Sequence, residues 1–151
     1  MKEIMILEQI EPEAYKAMLG LEKYLHHSDL SKTLLALIKI RASQINRCAF
    51  CIDMHTKDAK KNGETEQRIY ALNAWNEAPF FTPEERAALA MTEAVTLVAG
   101  NSISDDLYAE VSRYFSANQI AQILIAIVII NAWNRIAIAT KMVPGTYPAT
   151  E

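Results

Sequence analysis

The sequence predicts an all-α protein, a single domain of six or seven helices spanning residues 1–151. Three observations carry this expectation. No stretch shows sustained two-residue alternation bounded by hairpin turns, glycine occurs only four times, and helix start signals recur along the chain. With 151 residues, 51% of them hydrophobic and 22% charged, the chain suits one domain with a real core and is too short for two.

Residues 12–26, PEAYKAMLGLEKYLH, read as a first helix opened by Pro12. A second spans about 31–46, with Ser31 as its N-cap and Leu34, Leu37, Ile38 and Ile45 on one side. The stretch SQINRCAFCIDMHTKDAKKNGE, residues 43–64, starts a third helix that stops at Gly63. Thr65 caps a fourth that reaches about Trp75. Thr82, Pro83 and Glu85 supply a capping box and an N1 proline for a fifth, running to about Ala99. Ser104 opens a sixth to about Phe115, and Ser116 with Gln119 boxes the start of the last, to about Lys141. The tail VPGTYPATE, with two prolines, is expected to be loose or packed on a neighbour.

The most apolar segment is ILIAIVIINAWNRIAIAT, residues 123–140. Asn131, Asn134 and Arg135 interrupt it, and an arginine at a bilayer centre costs about 2.5–3.5 kcal/mol. A buried core helix is expected, not a membrane span. Because it is apolar on nearly all sides between Ile123 and Ile130, it must be surrounded, and a subunit interface is the easiest way to do that. The net charge of -3 is mixed along the chain, with no basic stripe to track phosphates, so nucleic acid is excluded as a partner. Only a four-residue apolar run precedes Glu8, too short for a signal-peptide core, so a cytoplasmic protein is expected.

The chemistry centres on Cys48, Cys51 and His55. If Cys48 opens the third helix, steps of three and four residues bring all three onto nearly one face. A helix N-terminus stabilises thiolate, and His55, one turn beyond Cys51, can take its proton or hold its thiolate. A thiolate, a base and a second sulfur are what two-electron peroxide reduction requires: one sulfur becomes sulfenic acid and its neighbour condenses with it. Two other readings stay open on spacing alone. The three could hold zinc, with His26, His27 or a carboxylate as fourth ligand, or the thiols could be inert core residues. A thioredoxin-type domain would need strands that this chain lacks.

Glu93 lies on an apolar stripe with Leu89, Ala90 and Leu97 and is expected to face inward. It reads either as a catalytic acid or as one half of a structural pair with Arg68, Arg135 or a lysine. His26 and His27 end a helix and read as dipole partners or solvated side chains. Trp133 reads as core, Asn134 and Arg135 as partners for buried carbonyls or carboxylates, and Tyr70 and Trp75 as core packing before pocket walls.

The segment LIKIRASQINRCAFCIDMHTKDAKKNGE closely resembles the core motif of the alkylhydroperoxidase D group of the carboxymuconolactone decarboxylase superfamily. ERAALAMTEAVTLV and INAWNRIAIA resemble its later helices, so the likeness runs from about Leu34 to Ala139. The resemblance implies an all-helical alkylhydroperoxidase D-like fold, assembly into trimers or hexamers, and hydroperoxide reduction for antioxidant defence. It implies no cofactor beyond the redox-active cysteine pair. By analogy Cys51 is the peroxidatic thiol, and Cys48 is the resolving one that meets a dithiol or thioredoxin-like electron donor. Two departures stand out. The family's relay glutamate, twelve residues before the first cysteine, is replaced by Ala36, which makes Glu93 the candidate substitute; and the small residue before that cysteine is Arg47. The superfamily's true decarboxylases lack the cysteine pair, so a non-redox lactone decarboxylase or hydrolase, which would not need both thiols, is the rival function, with a zinc-stabilised interaction module as the other.

Overall fold

Hydroxyl side chains set five of the helix starts in the computed structural model, which describes residues 2–100 and 102–148. The helices are α1 (Leu7–Ile10), α2 (Pro12–Leu25), α3 (Lys32–Ile45), α4 (Ala49–Lys61), α5 (Glu66–Ala71), α6 (Pro83–Thr96), α7 (Asp105–Ser112) and α8 (Ala117–Thr140). Ser31, Thr65, Thr82, Ser104 and Ser116 each accept a backbone N–H from the first turn of α3, α5, α6, α7 and α8. Thr82 with Glu85, and Ser116 with Gln119, close full capping boxes.

The helix count exceeds expectation by one because α1 is a separate single turn. Pro12 cannot donate a backbone hydrogen bond, so the chain breaks at Glu11 and restarts. The fourth helix is also shorter than expected: after Ala71 it tightens into a 3-10 turn, Leu72–Ala74. Helices α6 and α7 likewise stop about three residues early, at Thr96 and Ser112.

Helix α3 is the centre of the fold. One face packs Ile38 with Ala88 and Met91 of α6 and with Ile123 and Ile127 of α8. Another packs Leu37 and Ile40 with Ala59 of α4, Ile69 of α5, Leu72 and Leu89. Each such fully buried isoleucine or leucine contributes about 1.5–3 kcal/mol. Helix α8 is long and apolar enough to cross a membrane, yet it packs against α2, α3, α4, α6 and α7, with Ile123, Ile127 and Ile130 wholly enclosed. It is the core helix that its composition predicted. Val128 and Ile138 remain about half exposed on its outer side.

The tail is neither loose nor free of its own domain up to Pro148. Gly145 N–H donates to Asp53, Lys57 donates to the Tyr147 carbonyl, and the Tyr147 hydroxyl lies 3.0 Å from Asp58 Oδ1. These contacts strap residues 145–147 along α4. Residues 149–151 of the tail fall outside the described part.

Candidate active site

The site begins at the way α3 ends. Arg47 adopts left-handed backbone (φ 57), its N–H bonds to the Gln44 carbonyl, and Cys48 N–H bonds to the Ser43 carbonyl. That pair of bonds is a Schellman ending, and it turns the chain straight into α4. Polar side chains brace the turn: Asn46 Nδ2 donates to both Asn131 and Asn134 of α8, and Asn134 donates to Ser43 Oγ at 3.0 Å. Asn134 is fully buried, and its partners are the Asn46 amide and the Ser43 hydroxyl in place of the carbonyls or carboxylates expected.

Cys48 is the N-cap of α4, with its sulfur 3.3 Å from the Cys51 N–H. The two cysteines form a disulfide, with Cα atoms 5.3 Å apart. Both are buried, against Ala137, Phe50 and Met142. They open on different sides. Cys51 lines a chamber of about 460 Å³, whereas Cys48 lines a separate pocket of about 370 Å³ with Arg47 and Lys141. Phe50, Ala137 and Met142 border both and form the partition.

His55 sits in the chamber wall one turn after Cys51, about nine-tenths buried. Among the described residues nothing hydrogen-bonds to its ring, and no fully enclosed side-chain nitrogen or oxygen lacks a partner. The ring nitrogens therefore face cavity, not protein. Burial, followed by the charge of Lys39, lowers its pKa from 6.5 to about 3. In the disulfide form His55 is thus a neutral imidazole at neutral pH. A thiolate on Cys51 would pull the other way and raise the pKa of the ring.

The chamber's polar wall holds a pair that the sequence did not single out. Lys39 Nζ lies 2.6 Å from Glu22 Oε2, and both line the chamber with His55, His26 and Asp58. Glu22 is 33 positions from His55 on another helix, so no local spacing could have flagged it. The apolar wall comes from Tyr15, Leu19, Met54 and Trp133, with Tyr15 and Trp133 edge to face at 5.5 Å. Trp133 is therefore a wall residue as well as a packing one. His26 caps α2 and faces the chamber, while His27 Nδ1 lies 2.8 Å from the Lys23 carbonyl, the helix-end role expected.

Glu93 is not among the chamber-lining residues. Its Oε1 takes Arg41 at 2.8 Å and Trp75 Nε1 at 2.7 Å. The reason is geometric: Arg41 follows Lys39 by two positions, about 200° around α3, so one faces the chamber and the other faces away. The structural pair weighed for Glu93 exists, with Arg41 in place of the partners expected, and Arg68 bonds Glu64 and Glu85 instead. Trp75 packs with the second core cluster, but Tyr70 is 72% exposed and neither core nor chamber wall. Ala36 lies beside His55 and Lys39 in an adjoining cavity, on a wall without a carboxylate at that position. Among the described residues no group of three or more histidine, cysteine, aspartate or glutamate side chains is placed to hold a metal ion.

Residues 12–94 match the carboxymuconolactone decarboxylase family. The uncharacterized protein YdfG of Bacillus subtilis (strain 168) is 51% identical over 131 residues, covering 87% of this chain and 89% of that protein. Among solved structures, ATU0492 of Agrobacterium tumefaciens, a protein of unknown function proposed to be the antioxidant defence protein AhpD, superposes with TM-score 0.93. Its identity is 40%, over 97% of this chain and 100% of that one. The debrominase Bmp8 shares the fold at TM-score 0.82 and 22% identity, over 91% of this chain and 74% of its own. The cysteine pair at a helix start, the all-helical frame around it and these matches agree: the chain belongs to the carboxymuconolactone decarboxylase family, with an alkylhydroperoxidase D-like fold.

Proposed function

We infer that the protein is a cytoplasmic thiol peroxidase that reduces alkyl hydroperoxides through Cys48 and Cys51 and so serves antioxidant defence. The observation that carries this reading is the disulfide whose Cys51 half opens onto a partly apolar chamber beside His55. In the reduced enzyme the Cys51 thiolate attacks the terminal peroxide oxygen, and the O–O bond breaks. The alkoxide leaves as an alcohol after taking a proton from the chamber wall, where the charge of the Lys39 ammonium acts on His55. Cys51 is then a sulfenic acid; Cys48 attacks its sulfur, water leaves, and the disulfide forms. A dithiol or thioredoxin-like donor supplies two electrons to restore both thiols. A homo-oligomer, a trimer or hexamer, is part of the same reading, supported by Val128, a large apolar side chain left exposed on the outer side of α8.

The experiment uses pre-reduced protein and one equivalent of cumene hydroperoxide. Loss of both thiols, a mass decrease of two hydrogens and one equivalent of alcohol are expected. Persistence of the thiols overturns the peroxidase reading. Lactone turnover that survives serine at both positions would establish the non-redox rival, and stoichiometric zinc in the purified protein the metal-stabilised one. Oxidation by 2,3,4-tribromopyrrole, the molecule bound in a Bmp8 structure, but not by the hydroperoxide would point to debromination instead.

A further inference from the structure

Two non-glycine residues have positive φ among the described residues, Arg47 (φ 57) and Lys141 (φ 58). Each occupies the left-handed position of a Schellman ending, Arg47 after α3 and Lys141 after α8. Glycine or asparagine is the usual occupant there, because a longer side chain is strained in that backbone. Here both are cations, and both line the pocket that holds Cys48. Among the described residues neither forms an ion pair, whereas the cations lining the Cys51 chamber include Lys39, held by Glu22. The rest of the Cys48 pocket is largely apolar, from Phe50, Ile138, Met142 and Pro144. Cys51 is absent from its lining and Cys48 is absent from that of the chamber.

We propose that the pocket between Arg47 and Lys141 is the entry site for the electron donor, and that it selects a thiol carrying an anionic group. The inference rests on the redox reading of the cysteine pair but not on hydroperoxide as the oxidant. The anion of the donor sits between the two cations, its carbon chain lies on Phe50 and Met142, and its thiolate meets Cys48 from the side away from Cys51. The thiolate attacks Cys48 Sγ, the Cys48–Cys51 bond breaks, and Cys51 leaves as the thiolate and takes up a proton. A second donor thiolate attacks the donor sulfur of the mixed disulfide, frees Cys48 and leaves the donor oxidised as its disulfide. Two electrons pass to the protein and none are unaccounted for. Access opposes leaving-group strength here. The α4 N-terminus makes Cys48 the better leaving thiolate, which would favour attack on Cys51 in an open site. The location of the adduct therefore reports on the pocket itself.

The test takes the oxidised protein and three thiols on one ethane skeleton: 2-mercaptoethanesulfonate, 2-mercaptoethanol and cysteamine. Rates of disulfide reduction are compared in wild type and in the double variant Arg47→Asn with Lys141→Asn. Asparagine tolerates left-handed backbone, so the variant should melt no lower than wild type. The expected result is a fall on the order of tenfold with the sulfonate, at the low end of electrostatic steering effects, and rates with the neutral thiol within about twofold. Cysteamine should gain, and the acid-quenched adduct should map to Cys48. In wild type, raising salt should reproduce the loss with the sulfonate. Equal rates with the sulfonate in both proteins, or an adduct on Cys51, overturn the proposal. Those outcomes leave the peroxidase reading intact, whereas failure of hydroperoxide to reoxidise the thiols sinks that reading and leaves this one standing.

Discussion

Lys39 Nζ and Glu22 Oε2 lie 2.6 Å apart in the wall of the chamber onto which Cys51 and His55 open. The pair joins α2 to α3 and places an ammonium in the same wall as an imidazole that is uncharged near pH 7. A leaving alkoxide needs a proton at the moment the O–O bond breaks, and this wall is where one is held. Glu22→Gln removes the anion that positions the ammonium, so hydroperoxide turnover should fall about tenfold or more, within the usual range for general acid–base help. Glu22→Asp should restore part of the rate. Turnover within about twofold of wild type would show that the pair only ties two helices together.

Glu93→Gln gives the complementary case. Its carboxylate holds Arg41 and Trp75 away from the chamber. Loss of a charge-assisted bond to a partly buried arginine should lower stability by about 1–3 kcal/mol, read as the urea midpoint. Turnover of the folded fraction should stay within about twofold. A tenfold drop at unchanged stability would instead return Glu93 to the proton path.

The buried neutral His55 sets a pH limit on the disulfide form. Its folded pKa, about 3, lies below the unfolded value near 6.5, so between those values the unfolded chain binds the extra proton. Stability is therefore fully present above about pH 6.5 and falls as pH drops, by up to about 1.4 kcal/mol per unit. Asp53, whose pKa is lowered mainly by its hydrogen bond with Lys57, acts only below the carboxylate range. Urea midpoints at pH 7, 5.5 and 4.5 should decline for wild type, and the decline should flatten in His55→Gln. Parallel slopes for the two proteins would contradict a neutral, enclosed imidazole.

Much of this arrangement is readable in the chain. The start of α4 at Cys48 and the caps at Ser31, Thr65, Thr82, Ser104 and Ser116 follow from local chemistry, which acts within one helical turn. The Cys48, Cys51 and His55 constellation lies within eight residues, so helical geometry alone brings it together. What the chain concealed is contact between distant segments. Glu22 meets Lys39 only because α2 packs beside the chamber, and Glu93 turns from it because Arg41 and Lys39 occupy opposite faces of α3. The tail looked loose by its prolines, yet Asp53, Lys57 and Asp58 present a row of partners along α4.

The outer side of α8 bears on assembly. Val128 is 51% and Ile138 50% exposed on a helix whose other faces are core. Ile138 borders the Cys48 pocket, so a second copy seated over Val128 is the arrangement that leaves that pocket open, and Val128→Glu would place a charge in the contact without disturbing the core. Light scattering should show a lower mass for the variant at equal helicity. An unchanged mass for both proteins would move any interface elsewhere.

The two cysteines are unequal. Cys51 opens onto the chamber with His55, while Cys48 opens toward Arg47 and Lys141. Helix-terminus electrostatics alone would favour Cys48 as the nucleophile, since its sulfur faces the Cys51 N–H at 3.3 Å. Access favours Cys51, since the chamber is where an alkyl hydroperoxide can seat its chain on Trp133 and Met54. Catalysis requires the reacting atoms to meet, and a misplaced nucleophile gains nothing from a low pKa. Cys51→Ser should therefore abolish reaction with hydroperoxide. Cys48→Ser should consume one equivalent and stop, leaving a sulfenic acid on Cys51 that dimedone traps at that residue. If dimedone marks Cys48 in the Cys51→Ser protein instead, the helix terminus outweighs the chamber, and the two sulfurs exchange roles.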